Sequence, residues 1–123
     1  MRCNVFNLTS NNSLSKYQKV WKYQKLLAEH LYQIKKDVEK SKVNPSLNFD
    51  SIVIVEHPSI YTLGRGSTLE NVKFNIGDNS LQHELVRVER GGEITWHGPG
   101  QLVAYPIFDL NNHKRDLHWY LLL

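Results

Sequence analysis

From Tyr17 to Val38 the residues Tyr17, Val20, Trp21, Leu27, Ala28, Leu31, Ile34 and Val38 fall at spacings of three and four. That period marks one face of an α-helix, and a long helix with a single apolar face has to lie on another layer. Ser15 stands three positions before Gln18, the spacing of a capping box, in which the two side chains satisfy free backbone N–H groups of the first turn. Lysines late in the segment suit the negative end of the helix dipole, and Asn44-Pro45 closes it.

The rest of the chain supplies the strands. Residues 3–8 form a short opening strand. Ser51 to Glu56 is β-branched and almost wholly apolar, the pattern of a strand buried on both faces. His57-Pro58 ends it, and Ile60-Tyr61-Thr62-Leu63 is a second short strand before Gly64-Arg65-Gly66. After a weakly patterned stretch with a turn at Gly77-Asp78-Asn79, Leu85 to Arg90 alternates apolar and charged residues as a half-buried strand does. Gly91-Gly92 reads as a tight turn, Glu93 to Trp96 as extended chain, and Gly98-Pro99-Gly100 as a break. Gln101 to Leu110 is a long apolar strand in which Pro106 points to a bulge or an edge position. Asp116 is a good N-cap for a second helix. Helix, strands, then helix imply an α+β fold, a sheet with helices on one face, in one domain spanning residues 1–123.

Composition narrows the class. With 41% hydrophobic and 22% charged residues the chain is of globular type and excludes a disordered tail, a collagen-like rod or a disulfide scaffold. No run approaches the roughly 18 consecutive apolar residues of a membrane span. The N-terminus lacks the apolar core of a secretory signal and has no obvious transit peptide. The single cysteine, Cys3, forms no internal disulfide and suits a reducing compartment; a cytoplasmic location is expected, with the plastid as alternative. The net charge of +3 is unevenly placed: Lys16, Lys19, Lys22, Lys25, Lys35, Lys36, Lys40 and Lys42 face only Glu29, Asp37 and Glu39 within the helical segment. This reads first as a solvated helix face and second as a surface for an acidic protein. A nucleic-acid footprint would need arginines joined to it, and these lie elsewhere, at Arg2, Arg65, Arg87, Arg90 and Arg115.

The chemistry concentrates between Glu89 and Gln101, where Gly91, Gly92, Gly98 and Gly100 are more glycine than a hairpin needs. Glycine lets the main chain approach a ligand closely. Arg90 offers a permanent charge with fork geometry suited to carboxylate or phosphate, and His97 stands at a strand end where its imidazole can face a pocket. A plain hairpin with a surface arginine and a partly buried histidine fits the same residues. No Walker loop follows, since no lysine-serine or lysine-threonine pair succeeds the glycines. The dinucleotide pattern fails too, because it opens a helix rather than joining strands. His113 and His118 are five apart with no cysteine or acidic cluster beside them, weak grounds for a metal. His30 and His57 read as structural.

Arg90-Gly91-Gly92-Glu93-Ile94-Thr95-Trp96-His97-Gly98-Pro99-Gly100-Gln101-Leu102-Val103-Ala104-Tyr105-Pro106 closely resembles the signature of the octanoyltransferases of lipoate biosynthesis. Glu56-His57-Pro58-Ser59-Ile60-Tyr61-Thr62-Leu63-Gly64-Arg65-Gly66 and Asp116-Leu117-His118-Trp119-Tyr120-Leu121 agree with it in order and spacing, the last as in its cyanobacterial and plastid branch. The resemblance implies the fold of biotin and lipoate protein ligases, a mixed sheet with flanking helices and an acyl tunnel. It implies transfer of an octanoyl group from acyl carrier protein to a lysine on lipoyl domains of 2-oxoacid dehydrogenases and of the glycine cleavage H protein, without metal or dissociable cofactor, nucleic acid or membrane. It further implies that Arg90, Gly91, Gly92, Glu93, Ile94, Thr95, Trp96 and His97 line the substrate pocket, with Ile94 and Trp96 as apolar wall and His97 polarising the thioester carbonyl or orienting a neighbour.

The family acts through a cysteine nucleophile activated by a lysine, and the resemblance places both beyond Leu123. Neither Cys3 nor Lys114 matches them. On this reading the chain is the N-terminal part of the domain, inactive by itself, and the bare apolar end Leu121-Leu122-Leu123 leads to poor folding or association in isolation. An ATP-dependent lipoate or biotin ligase is an alternative, although lipoate-type ligases carry an aspartate where this chain has Gly98. A non-catalytic module that binds acyl groups or carrier protein is a third.

Overall fold

The structure, a computed structural model, describes residues 3–41, 49–74, 84–116 and 118. Strand β1 (Asn4–Asn7) leads to helix α1 (Tyr17–Ser41), then β2 (Ser51–Val55), β3 (Ile60–Leu63), β4 (Glu84–Arg87), β5 (Thr95–His97) and β6 (Val103–Ile107). A long helix and mixed strands give the expected α+β class.

The apolar face of α1 lies on a sheet of order β1-β2-β6. Val20, Val53 and Val55 form its buried centre, with Phe6, Leu8, Tyr23, Leu27, Val103, Tyr105 and Ile107 packed around them. β1 runs parallel to β2, and β6 antiparallel, so Phe6 and Tyr105 flank Val53 in register. Ser51, Val53 and Val55 are buried while Ile52 and Ile54 are only half-buried. β2 thus has one fully covered face among the described residues, not the two its composition suggests.

The capping box does not form. Ser15 lies outside the helix because both its backbone groups are engaged elsewhere: its N–H donates to the Glu56 carbonyl (2.8 Å), and its carbonyl accepts from His57 Nδ1 (2.6 Å). The Val20 N–H instead closes on the Lys16 carbonyl, and the Gln18 amide donates to the Glu84 carboxylate.

The strands form two three-stranded sheets rather than one. His57-Pro58 interrupts the chain after β2, and β3 becomes the centre of a second sheet of order β4-β3-β5, parallel to β4 and antiparallel to β5. The segment joining β4 to β5 is consequently no tight hairpin. With neighbouring strands about 4.8 Å apart, it must cross about 10 Å over the end of β3. β6 is shorter than its apolar run and sits at the margin of its sheet, where the missing N–H of Pro106 costs no ladder bond. Beyond it, the Asp109 carboxylate accepts from the Asn111 N–H (2.9 Å) and starts a short turn. His113 Nε2 meets the buried Asp50 carboxylate at 2.6 Å. Of the second helix only His118 is described, as helical; the Asn44-Pro45 stop, the Gly77-Asp78-Asn79 turn and residues 119–123 lie outside the described residues.

Candidate functional site

The two sequence blocks 56–66 and 90–106 dock on each other at several points. The Glu56 carboxylate accepts from the Gly100 N–H (2.9 Å), and Ser59 Oγ accepts from the Trp96 indole (3.0 Å). The ladder of β3 and β4 runs on past the strands: Val88 N–H donates to the Leu63 carbonyl and Arg65 N–H to the Arg90 carbonyl, both at 2.9 Å. At Gly64 the loop comes so close that a Cβ there would stand 1.9 Å from the Gly92 carbonyl oxygen. Gly92 itself has φ +81°, a left-handed backbone that favours glycine.

Two arginines fix this loop from within. Arg87 Nη1 donates to the carbonyls of Gly64, Arg65 and Ser67. Arg90 donates to the carbonyls of Gly91 (2.8 Å), Glu93 (3.1 Å) and Thr62 (3.1 Å) and to Thr62 Oγ1 (2.7 Å). The fork geometry that suits a carboxylate or phosphate is thus turned onto main-chain oxygens. The Glu93 carboxylate accepts from Ser67 Oγ (2.6 Å) and Asn71 Nδ2 (3.1 Å), and these bonds hold its carboxyl below the usual range.

A connected set of rings lies beside the loop. His57 is fully buried. Because a carbonyl can only accept, His57 Nδ1–H donates to Ser15, and Nε2 accepts from the Tyr105 hydroxyl at 2.9 Å. The His97 ring lies 6.0 Å from that of His57, and the Tyr17 ring packs on His57 at 5.6 Å. His97 Nδ1 bonds to Gln101 Oε1 (2.8 Å) and Nε2 to Thr62 Oγ1 (3.2 Å). Thr62 therefore joins Arg90 to His97. Burial first, and His97 second, push the His57 pKa below 6.5, against the Ser15 carbonyl, which favours the charged ring. Burial also pushes the Tyr105 and Tyr17 hydroxyls upward. The proton between His57 and Tyr105 therefore stays on the phenol.

A pH dependence follows. As pH falls below 6.5 the unfolded chain protonates its His57 before the folded one does, so folded stability drops. Melting followed between about pH 7.5 and 5.5 is expected to show this loss, and His57→Leu to show a shallower slope. An unchanged slope in the variant would exclude His57 as its source.

The residues expected to line a pocket divide between two sides. Thr95 and His97 share one face of β5 with Arg90 and Thr62 nearby, whereas Trp96, opposite Tyr61, points to the other and packs across the buried Gly98. Ile94 is half-buried; Gly91, Gly92 and Glu93 form the exposed crest of the loop. A largely apolar groove of about 630 Å³ runs between α1 and β6 to the loop, bounded by Tyr17, Trp21, Arg90, Tyr105, Ile107 and Phe108 among others, a size typical of small-molecule sites. Sequence reasoning passed over Thr62, Tyr105 and His57, the last read as structural. Strand alternation through Ile60 and Thr62 was the available signal. Cys3 stands at the start of β1 with its thiol on the Asn4 carbonyl, and burial together with Asp50 pushes its pKa up, which disfavours a nucleophile.

Residues 16–122 match the family model of the lipoyl protein ligase A/B catalytic domain. The chain belongs to this family. It is 46% identical over 121 residues to the chloroplastic octanoyltransferase LIP2p2 of Arabidopsis thaliana, covering 98% of this chain and 39% of that protein. With an octanoyltransferase of Nostoc sp. it shares 48% identity over 96 residues, 77% of this chain and 41% of the relative. With one from Synechocystis sp. it shares 54% over 72 residues, 58% and 31%. The chain thus spans at most about two fifths of the length of these curated relatives, whose names agree with the acyltransferase resemblance of its motifs. Among the described residues no helix is long and apolar enough to cross a membrane.

Proposed function

We propose that this chain is the N-terminal part of an octanoyltransferase that moves an octanoyl group from acyl carrier protein to a lysine of lipoyl domains, in a cytoplasmic or plastid compartment. The observation that carries the reading is the glycine loop, braced onto Gly64 and Thr62, whose first residue Arg90 borders the apolar groove. A medium acyl chain needs an apolar slot with few polar groups to fix its thioester end. We assign the groove to the chain, Arg90 with the adjoining crest Gly91–Glu93 to the thioester end, and Ile94, Thr95, Trp96 and His97, which lie outside the groove's lining, to the support of the loop. Both His97 ring nitrogens are engaged by Gln101 and Thr62, so we give it an orienting role. In the reaction the donor thioester breaks, the carrier regains its thiol, and an amide forms at the acceptor lysine. We assign the covalent step to a cysteine and lysine outside these 123 residues, since Cys3 is misplaced and made less acidic. The ligase alternative lacks its aspartate: that position is Gly98 here, packed under the Trp96 ring.

The test is a chimera joining this chain to the C-terminal part of the Nostoc octanoyltransferase. Supplied with octanoyl-carrier protein and a lipoyl domain, it is expected to give octanoyl-lysine without ATP, while the 123-residue chain alone gives none. Transfer by the chain alone, acyl adduct on Cys3, or a requirement for ATP would overturn the assignment.

A further inference from the structure

Three of the six lysines of α1 are occupied. Lys25 pairs with Glu89 (3.1 Å) and lies over Trp21, Lys35 pairs with Asp109 (3.4 Å), and Lys36 lies over Tyr32. Lys16, Lys19, Lys22 and, at the other end, Lys40 form no ion pair with any described residue; only the first three cluster. Two of them rim a second groove of about 450 Å³, floored by Leu8, Val20, Tyr23 and Leu26, with no acidic residue in its lining. Leu26 is 68% exposed there, unusual for a leucine on a helix face otherwise given to lysine. An apolar slot beneath unpaired cations complements an acidic protein surface that presents an apolar side chain between carboxylates.

We propose that the N-terminal half of α1 docks the acidic carrier protein that delivers the acyl group, Lys16, Lys19 and Lys22 meeting its carboxylates and the Leu26 groove taking an apolar side chain of its helix. This rests on the octanoyltransferase reading and names where its donor sits. The docking groove and the acyl groove lie on different flanks of α1 and share no lining residue; they are linked through the interior, where the Ser15 carbonyl holds the buried His57, on which Tyr17 packs. Nucleic acid fits less well, because no arginine borders the groove and the Tyr23 ring is already packed edge-on against Phe6 at 5.6 Å.

The experiment titrates the chimera, which supplies the part this chain lacks, with acyl carrier protein and, separately, with a lipoyl domain. Carrier binding is expected to weaken at least about tenfold in Lys19→Glu/Lys22→Glu, and by a similar factor in Leu26→Asp, but less than about twofold in Lys36→Glu/Lys40→Glu at the other end of α1. It is also expected to weaken several-fold between about 50 and 300 mM salt. Circular dichroism establishes that each variant keeps its helix, and a carrier with carboxylates changed to lysine is expected to rebind the reversed chain. The proposal is overturned by unchanged carrier affinity in the double reversal, by equal losses at both ends of the helix, by salt-insensitive binding, by no carrier binding at all, or by an effect confined to the lipoyl domain. The two readings part clearly. A chimera that transfers octanoyl while the reversals leave carrier affinity intact sinks the docking face alone; reversal-sensitive carrier binding with an inert chimera sinks the transferase alone.

Discussion

Gly64→Ala is expected to unfold the signature loop from its seat and to cost about 2–3 kcal/mol, the range of overpacking against atoms that cannot yield. The added methyl would lie 1.9 Å from the Gly92 oxygen and 3.0 Å from that of Gly91, both main chain. Relief would require moving the Arg90–Gly92 segment, which the Arg65-to-Arg90 bond and the Arg90 guanidinium hold down. Gly66→Ala is the control, since nothing lies within 4 Å of a Cβ there, and its stability is expected to stay within about 0.5 kcal/mol. Urea unfolding of the two variants checks the difference; equal stabilities would mean that the loop is not seated on Gly64. In the chimera, Gly64→Ala is expected to abolish most transfer.

The second large effect is expected at His57. Leucine fills most of the imidazole's space but leaves the Ser15 carbonyl and the Tyr105 hydroxyl without their partner. Each buried polar group so stranded costs about 1–3 kcal/mol, so His57→Leu is expected to lose about 3 kcal/mol. Tyr105→Phe strands only the Nε2 acceptor and is expected to lose about 1–2 kcal/mol. Since the two side chains touch, the double variant is expected to lose less than their sum by about 1 kcal/mol. Strict additivity in the double-mutant cycle would show that the bond between them contributes nothing.

How much of this was legible in the sequence depends on the range of the interaction involved. The helix face of Val20 and Leu27 and the short runs at residues 51–55 and 60–63 were readable because their signals are local periods. The edge position of Pro106 followed from its lacking a donor. Illegible features came from partners far apart in the chain. Ser15 gave up its cap to Glu56 and His57, forty residues on, and no propensity at Ser15 foretells that. The double glycine read as a hairpin because nothing nearby says that β3 lies between its flanking strands. Arg90 was correctly singled out, but its residue type speaks of ligands, while Thr62 and three main-chain oxygens hold it. The pocket motif was legible as a string; its division across two faces of β5 was not.

The placement of β3 between β4 and β5 also dictates an order of assembly. A hairpin zips from its turn and needs no other part of the chain. Here the glycine crossing has no template until the 60–66 segment has arrived from some thirty positions upstream and paired on both flanks. Contacts of such sequence separation close late and slowly. The glycine loop is therefore among the last features to take shape, and a nascent chain stalled before it would leave the β5 side of β3 bare.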